Sequence, residues 1–262
     1  MSAISTLFAD GRNFEPMRFS RVARAWLLEA KYEAIRGLRF PAFAAPFLVL
    51  PVALYLLFGV ALYGGLKDRT VAVSLFTSFA VFGVMGPGMF GFGMFVAAER
   101  ERGLLVLRRA LPASIGAYLF AKTVMAVFFA AIALASVTAA AGTLGPVRFT
   151  AVKVAGLAGV LVPSALPFCA LGLFIGSRAA TKSAPAFVNL TYLPMVYLSG
   201  MIPLPPSLAW IERFSPAFYA DQLAHRMMGI PSPAPAAGCV AVLATVTLIP
   251  SLFAVRRLAR RG

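Results

Sequence analysis

The chain has 262 residues, of which 60% are hydrophobic and only 13% charged, and its mean hydropathy is +0.85. An ordinary soluble domain is about 45–50% apolar and about 25% charged, so a soluble enzyme core, a disordered tail and a disulfide scaffold are excluded. The net charge of +15 is read as basic residues flanking membrane spans on the cytoplasmic side, and a nucleic-acid partner is not expected.

Residues 1–39 carry many charges and no long apolar run. No cleavable signal peptide is expected there, and the first span serves as the insertion signal. This stretch is read as a cytoplasmic N-terminal segment, and residues 40–262 as one membrane-spanning domain. From Arg18 to Leu38 the periodicity predicts a helix. Phe19, Val22, Ala23, Trp26, Leu27, Ala30, Ala34 and Leu38 share one face, and Arg18, Arg21, Arg24, Glu29, Lys31 and Arg36 the other. Leu28, Glu33 and Ile35 break the pattern. A basic face opposite an apolar face marks a helix lying in the membrane interface. Two readings stand: a simple anchor, or an elbow that also touches a cytoplasmic partner.

A transmembrane helix needs about 20 mostly apolar residues, and six windows qualify. They are Phe40 to Tyr63, Val71 to Ala98, Tyr118 to Leu144, Val152 to Ile175, Ala184 to Met201 and Ala236 to Val255. The second is interrupted by Gly86, Pro87 and Gly88, and the fifth carries Pro194. Between the fifth and sixth, Ile202 to Pro235 forms a long segment with two predicted short helices, Pro206 to Phe214 and Pro216 to Met228. Three quarters of the 24 lysines and arginines fall in the N-terminal segment, the second and fourth loops and the tail. Both termini are therefore expected in the cytoplasm.

Glu99-Arg100-Glu101-Arg102-Gly103-Leu104-Leu105-Val106-Leu107-Arg108-Arg109-Ala110-Leu111-Pro112 follows the second span directly. Alternating charges are costly in hydrocarbon, so the helix is expected to emerge at Glu99. Leu104, Leu107 and Leu111 then form an apolar stripe at helical spacing, and Pro112 ends it. Such a helix either docks in a partner's groove or is a solvated loop with its leucines on the lipid surface. Gly86, Gly88, Gly91 and Gly93 are read as close-packing positions. Phe90, Phe92 and Met94 beside them are candidates to line a pathway. Asn189, Thr191, Tyr192, Tyr197 and Ser199 supply the notable polar cluster of the spans, either as interhelical hydrogen bonds or, for Asn189, Tyr192 and Tyr197, as cargo contacts. His225, the lone histidine, is read as incidental.

The absences are informative. There is no phosphate loop of the G-x-x-x-x-G-K-[ST] form, no H-E-x-x-H and no G-x-S-x-G elbow, and no metal site is expected. Cys169 and Cys239 lie in separate apolar stretches and suggest neither a disulfide framework nor a metal site. The spans hold essentially no acidic residue, with Asp68, Glu212 and Asp221 placed outside, which disfavours a proton-driven carrier. No charged pocket is visible, so any cargo is expected to be amphipathic or apolar.

The acid-base-acid-base-Gly run at Glu99 to Gly103, with its leucines and proline, resembles the cytoplasmic coupling region of ATP-binding-cassette (ABC) export permeases of the type-2 class. Tyr118-Leu119-Phe120-Ala121-Lys122 resembles the beginning of that family's third span. Asn189-Leu190-Thr191-Tyr192-Leu193-Pro194, Ser199-Gly200 and Pro203-Leu204 resemble its fifth span and the turn after it. Ser215-Pro216 with Tyr219 resembles its external helices. Leu104 and Val106 depart from it, since the family often has a threonine and an acid there.

The resemblance implies an all-α integral membrane protein with six transmembrane helices. To these it adds an N-terminal amphipathic interfacial helix, a short cytoplasmic coupling helix, and an external re-entrant helical segment between spans 5 and 6. It implies no covalent chemistry and no cofactor in this chain, with ATP and Mg2+ bound by a separate ATPase subunit. It also implies a second permease copy, identical or related, in a bacterial plasma membrane. Glu99, Arg100, Glu101, Arg102, Gly103, Leu104, Leu107, Arg108 and Leu111 would meet the ATPase subunit. The expected role is export of a drug-like compound, a lipid or a lipid-linked glycan. An ion-coupled carrier and a structural membrane subunit are the alternatives.

Overall fold

A computed structural model describes residues 19–62, 69–105, 107, 115–145, 147, 149–201, 204–205 and 207–261. Every regular element among them is helical. In chain order these are α1 (Phe19–Leu38), α2 (Pro41–Leu54) with a wider π-helical continuation (Tyr55–Leu62), α3 (Arg69–Glu101) and α4 (Ile115–Thr143). Next come α5 (Ala151–Leu161), α6 (Ala165–Gly176) and α7 (Ala184–Val196), the last continued by a π-helical turn (Tyr197–Met201). A short 3-10 helix (Ala209–Phe214), α8 (Pro216–Met228) and α9 (Ala236–Arg261) complete the chain.

Five helical stretches are long and apolar enough to cross a membrane: Pro41–Leu62, Thr70–Glu101, Ile115–Thr143, Ala151–Gly176 and Ala236–Leu258. They coincide with five of the six windows expected from hydropathy. The remaining window, α7 and its turn, is shorter and diluted by Asn189, Thr191 and Ser199, and it does not reach the same measure. It nevertheless runs the length of the bundle. At one end Ala184 packs with Ala97 and Ala179, and at the other the Ser215 hydroxyl donates to the Met195 carbonyl. The two short helices expected after it are present, as the 3-10 turn and α8.

α3 is the axis of the bundle. In its most apolar window 83% of residues are buried, against 17% in α2 and in α9. Pro87 lies inside α3 without interrupting it, contrary to the sequence reading. A packed membrane helix tolerates a proline because its neighbours satisfy the freed backbone group. Phe76, Phe79, Met85 and Met89 of α3 join Leu157, Leu161 and Phe168 in the main core. Large apolar side chains elsewhere stay exposed, among them Leu50, Leu190, Leu193, Leu248 and Phe253. In water such a surface invites aggregation; hydrocarbon accepts it.

α3 and α6 meet backbone on backbone. Gly172 and Gly176 of α6 sit one turn apart against α3. A Cβ on Gly172 would lie 2.5 Å from the Met89 carbonyl oxygen, and one on Gly176 would lie 2.6 Å from that of Phe92. Small residues four apart let two membrane helices approach this far.

α1 lies along α4. Its buried positions are Ala30 and Gly37, and a Cβ on Gly37 would meet the Phe129 ring at 2.8 Å. Leu27 and Leu38, assigned to the apolar face by the helical wheel, do not pack on the bundle and are exposed, as a lipid-facing side of an interfacial helix would be. The docking face is chosen by small residues that allow close approach, not by the largest hydrophobes.

Gly172→Val should therefore cost at least ~1–3 kcal/mol by overpacking, read as a lower melting temperature and less monodisperse protein. Gly159→Ala, whose added Cβ meets nothing within 4 Å, should behave as the parent. A fully stable Gly172→Val protein would refute the α3–α6 packing.

Candidate functional site

Four charges from three helices converge where α1, the end of α3 and the start of α4 meet. Arg36 contacts Glu99 at 2.8 Å and Glu33 at 3.1 Å. Lys122 contacts Glu33 at 2.7 Å and Glu99 at 3.2 Å. The Tyr118 hydroxyl donates to Glu99 Oε2. Two acids and two bases balance, which matters because Lys122 has no exposed surface at all. The Phe95 ring adds its face to both cations, at 4.9 Å from the Arg36 guanidinium and 5.3 Å from Lys122 Nζ. Partial burial opposes the Arg36 charge, but Glu33 and Glu99 outweigh it and hold Arg36 above the usual guanidinium range.

Glu99 thus points inward, not into water as the sequence reading expected. Glu33, Lys122, Tyr118 and Arg36 were missed as members of a site. The signal was present, because Glu33 broke the apolar face of α1 at the position that meets Lys122.

A second set of contacts ties the ends of α3, α6 and α9. Arg100 donates to the carbonyls of Ser177 and Ala179, the latter at 2.7 Å. Arg257 donates to the same Ser177 carbonyl at 3.0 Å. The last carbonyls of a helix have no partner within it, and arginines satisfy them here. Beyond this collar Gly103 adopts φ +70°, a left-handed turn that a Cβ would strain. Leu104, Leu105 and Leu107 are then helical. Leu105 is buried with Phe92, Tyr118, Leu173 and Leu258. Leu104 and Leu107 are exposed, at 40% and 60%, as are Glu101 and Arg102.

The nine residues expected to meet a partner therefore separate. Glu99 and Arg100 hold the bundle together, and Gly103 makes the turn. Glu101, Arg102, Leu104 and Leu107 form an outward face. Arg108 and Leu111, like Val106 and Pro112, lie outside the described residues.

Two cavities with part of their walls in common lie near this turn. The first, of about 720 Å³, is lined by Arg36, Arg39, Phe40, Phe95, Arg102 and Leu104, among others. The second, of about 460 Å³, lies between α2, α3 and α7, with Phe43, Phe47, Phe90, Asn189 and Tyr192 in its wall. Phe40, Met94 and Phe95 line both. The sequence candidates Phe90, Met94, Asn189 and Tyr192 are brought together here. Phe92 faces away, buried beside Cys169 and Leu173, and Tyr197 sits on the turn beyond the groove, outside the lining of both cavities. The mouth is basic, which the sequence reading did not foresee.

The polar groups of α7 are mostly satisfied within α7 itself. Asn189 donates to the Pro185 carbonyl and Thr191 to that of Phe187, both at 3.0 Å. Tyr192 alone among these three reaches another helix, donating to the Phe82 carbonyl at 3.3 Å.

At the opposite end of the bundle, Asp221 of α8 is completely buried. Ser78 of α3 donates to it at 3.4 Å, and His225 Nε2 lies 3.5 Å from its other oxygen. Burial pushes the Asp221 carboxyl well above the usual carboxylate range and the His225 imidazole down to about 4. Both shifts disfavour charge. Asp221 is thus an internal group that latches α8 onto α3, and His225 is its neighbour.

A family model described as ABC-2 type transporter matches residues 25–224. The match covers most of the chain and includes the charge cluster, the outward turn and the groove. No curated protein matches the chain.

Replacing Lys122 by Met should cost about 3–5 kcal/mol, because it strands buried carboxylates. Adding Glu33→Gln should recover part of that loss in a double-mutant cycle of thermal stabilities. Additive effects of the two changes would contradict the cluster.

Proposed function

Since the chain belongs to the ABC-2 type transporter family, we propose that it is the membrane-spanning subunit of an ATP-driven exporter. It is a multi-pass membrane protein, and permeases of its family are generally non-catalytic subunits that typically work with an ATPase subunit. A separate subunit binds ATP and Mg2+ and docks on Glu101, Arg102, Leu104 and Leu107. A second copy, or a related permease, completes the pathway. The groove of Phe90, Met94, Asn189 and Tyr192 carries a cargo with an apolar body, of the drug, lipid or lipid-linked glycan kind.

One observation carries this reading: the end of α3, from which the outward turn departs, is fastened on two sides. On one side the Glu99 cluster joins it to α1 and α4. On the other, Arg100 and Arg257 join it to α6 and α9. A push on two exposed leucines reaches five helices and the cavity that borders them. A two-state machine of this kind needs an energy difference of only a few kcal/mol between its states for a nucleotide to shift it.

The same reading gives six crossings, with α7 and its π-helical turn as the fifth. Each rise of about 1.5 Å per residue brings that 18-residue stretch close to the thickness of a hydrocarbon core. Both termini then lie on the basic, cytoplasmic side of a bacterial plasma membrane.

Two measurements test this. Gentle purification at native expression should recover a stoichiometric companion with a phosphate loop. Leu104→Asp with Leu107→Asp should lose that companion and at least about 90% of ATP-driven export, with unchanged melting, since each buried leucine contact is worth about 1.5–3 kcal/mol. Transport by the purified chain alone would overturn the reading. For topology, single cysteines at positions 20 and 207 should label from inside and outside respectively. The background is low because Cys169 and Cys239 are buried. The reverse labelling pattern would invert the orientation.

A further inference from the structure

The last turns of α9 carry a second basic feature that the outward turn and the groove leave unused. Arg178, Arg256, Arg257 and Arg260 surround a cavity of about 320 Å³, with Phe253 as its fifth wall. Among the described residues no carboxylate lies within ion-pair distance of any of the four. Arg257 is engaged with the Ser177 carbonyl. Arg178 donates to the Phe174 carbonyl at 3.2 Å and lies 3.7 Å over the Phe174 ring. Neither Arg256 nor Arg260 has a hydrogen bond or ion pair among the described residues. This contrasts with the Glu99 cluster, where every cation has its carboxylate.

The position along α9 adds a second constraint. Ile249, Phe253, Arg256 and Arg260 recur at helical spacing on one face. Ile249 and Phe253 are both 52% exposed, and Arg256 and Arg260 are exposed below them. The apolar span ends at Leu258, so the arginines sit where hydrocarbon gives way to head groups. Arginines scattered along a basic loop would satisfy the usual charge asymmetry of membrane proteins. Four arginines lining one cavity, below an exposed apolar stripe, are a more specific arrangement. Guanidinium binds phosphate oxygens in pairs with defined geometry.

We propose that this cradle binds one anionic phospholipid. Its phosphodiester sits among Arg178, Arg256 and Arg260, and an acyl chain lies along Phe253 and Ile249. A zwitterionic lipid carries a cancelling ammonium and binds more weakly. The bound lipid would supply the negative charge that the protein withholds at the junction of α6 and α9, beside the Arg257–Ser177 contact that helps fix the end of α3. The proposal does not depend on the transport reading.

The test uses the full chain in bilayers of equal phosphatidylglycerol and phosphatidylcholine, released and weighed by native mass spectrometry. The parent should retain one phosphatidylglycerol under activation that strips phosphatidylcholine. Arg256→Gln with Arg260→Gln should lower that preference at least about tenfold, since each basic residue near the surface contributes about 1 kcal/mol to anionic-lipid attraction. Arg178→Gln should lower it less. Arg21→Gln with Arg24→Gln, which removes the same charge from α1, should leave it unchanged. No selective retention by the parent would overturn the proposal, as would an equal loss in the α1 variant, because general surface charge would then explain the effect. Displacement of the lipid by millimolar inorganic phosphate would also overturn it, by showing a free-anion site in place of a lipid site.

Discussion

Two carboxylates and two cations, drawn from three helices around a fully buried Lys122, are the constraint around which this end of the bundle is organised. Glu33, Arg36, Glu99 and Lys122 are tolerable there only together. A buried ion pair adds little net stability over an apolar replacement, yet losing one member leaves an uncompensated charge. The cluster therefore fixes a geometry more than it deepens the energy well. It dictates where α1 lies against α4, where α3 ends, and at what angle the chain leaves α3 towards the outward turn.

The base of that turn has two further fastenings. Leu105 is buried in the hydrophobic cluster at the foot of α3 and α6, and Arg100 closes the carbonyls at the end of α6. Above it, the glycines of α6 bring two backbones within the distance at which a side chain would clash. Contact this close resists sliding, since packed interiors are not continuously deformable. α3 and α6 are expected to move as one body, carrying α9 with them through Arg257. α2 and α7 lie on the open side of the groove and share less of this fastening. In the function proposed above, a displacement applied at Leu104 and Leu107 would change the groove by moving its α3 wall against its α2 and α7 walls.

Much of this was legible before any coordinates. Five spans follow from length and apolarity alone, because hydrocarbon leaves a helix no other way to satisfy its backbone. α7 was legible as a window but is the least regular of them, with polar residues that fold their hydrogen bonds back onto their own helix. The two outer helices were marked by their prolines. Illegible was everything that depends on which face meets which. The wheel for α1 put Ala30 on the apolar face together with Leu27 and Leu38 and passed over Gly37, because it counts apolarity and not how closely a neighbour can approach. Phe92 and Met94 lie two residues apart in α3 and so point to opposite sides, one into the α6 contact and one into the groove. Charge was the hardest to read. Glu33 showed only as a break in the apolar face of α1 and Asp221 only as an acid outside the spans, and each meets a partner distant in sequence.

This end of the bundle thus carries two kinds of arginine. Arg36, Arg100 and Arg257 each have an acceptor within the protein and serve the fold. Arg256 and Arg260 have none among the described residues, and Arg39 and Arg102 line an open cavity. A chain with a net charge of +15 could hold its orientation with any of them, since the rule that sets topology counts charges without regard to where they point. Convergence is a separate property. Guanidinium groups that repel one another gain nothing from sharing a cavity unless something anionic occupies it. Where the helices bring such groups together at the level of the head groups, the bilayer is the nearest source of the missing charge.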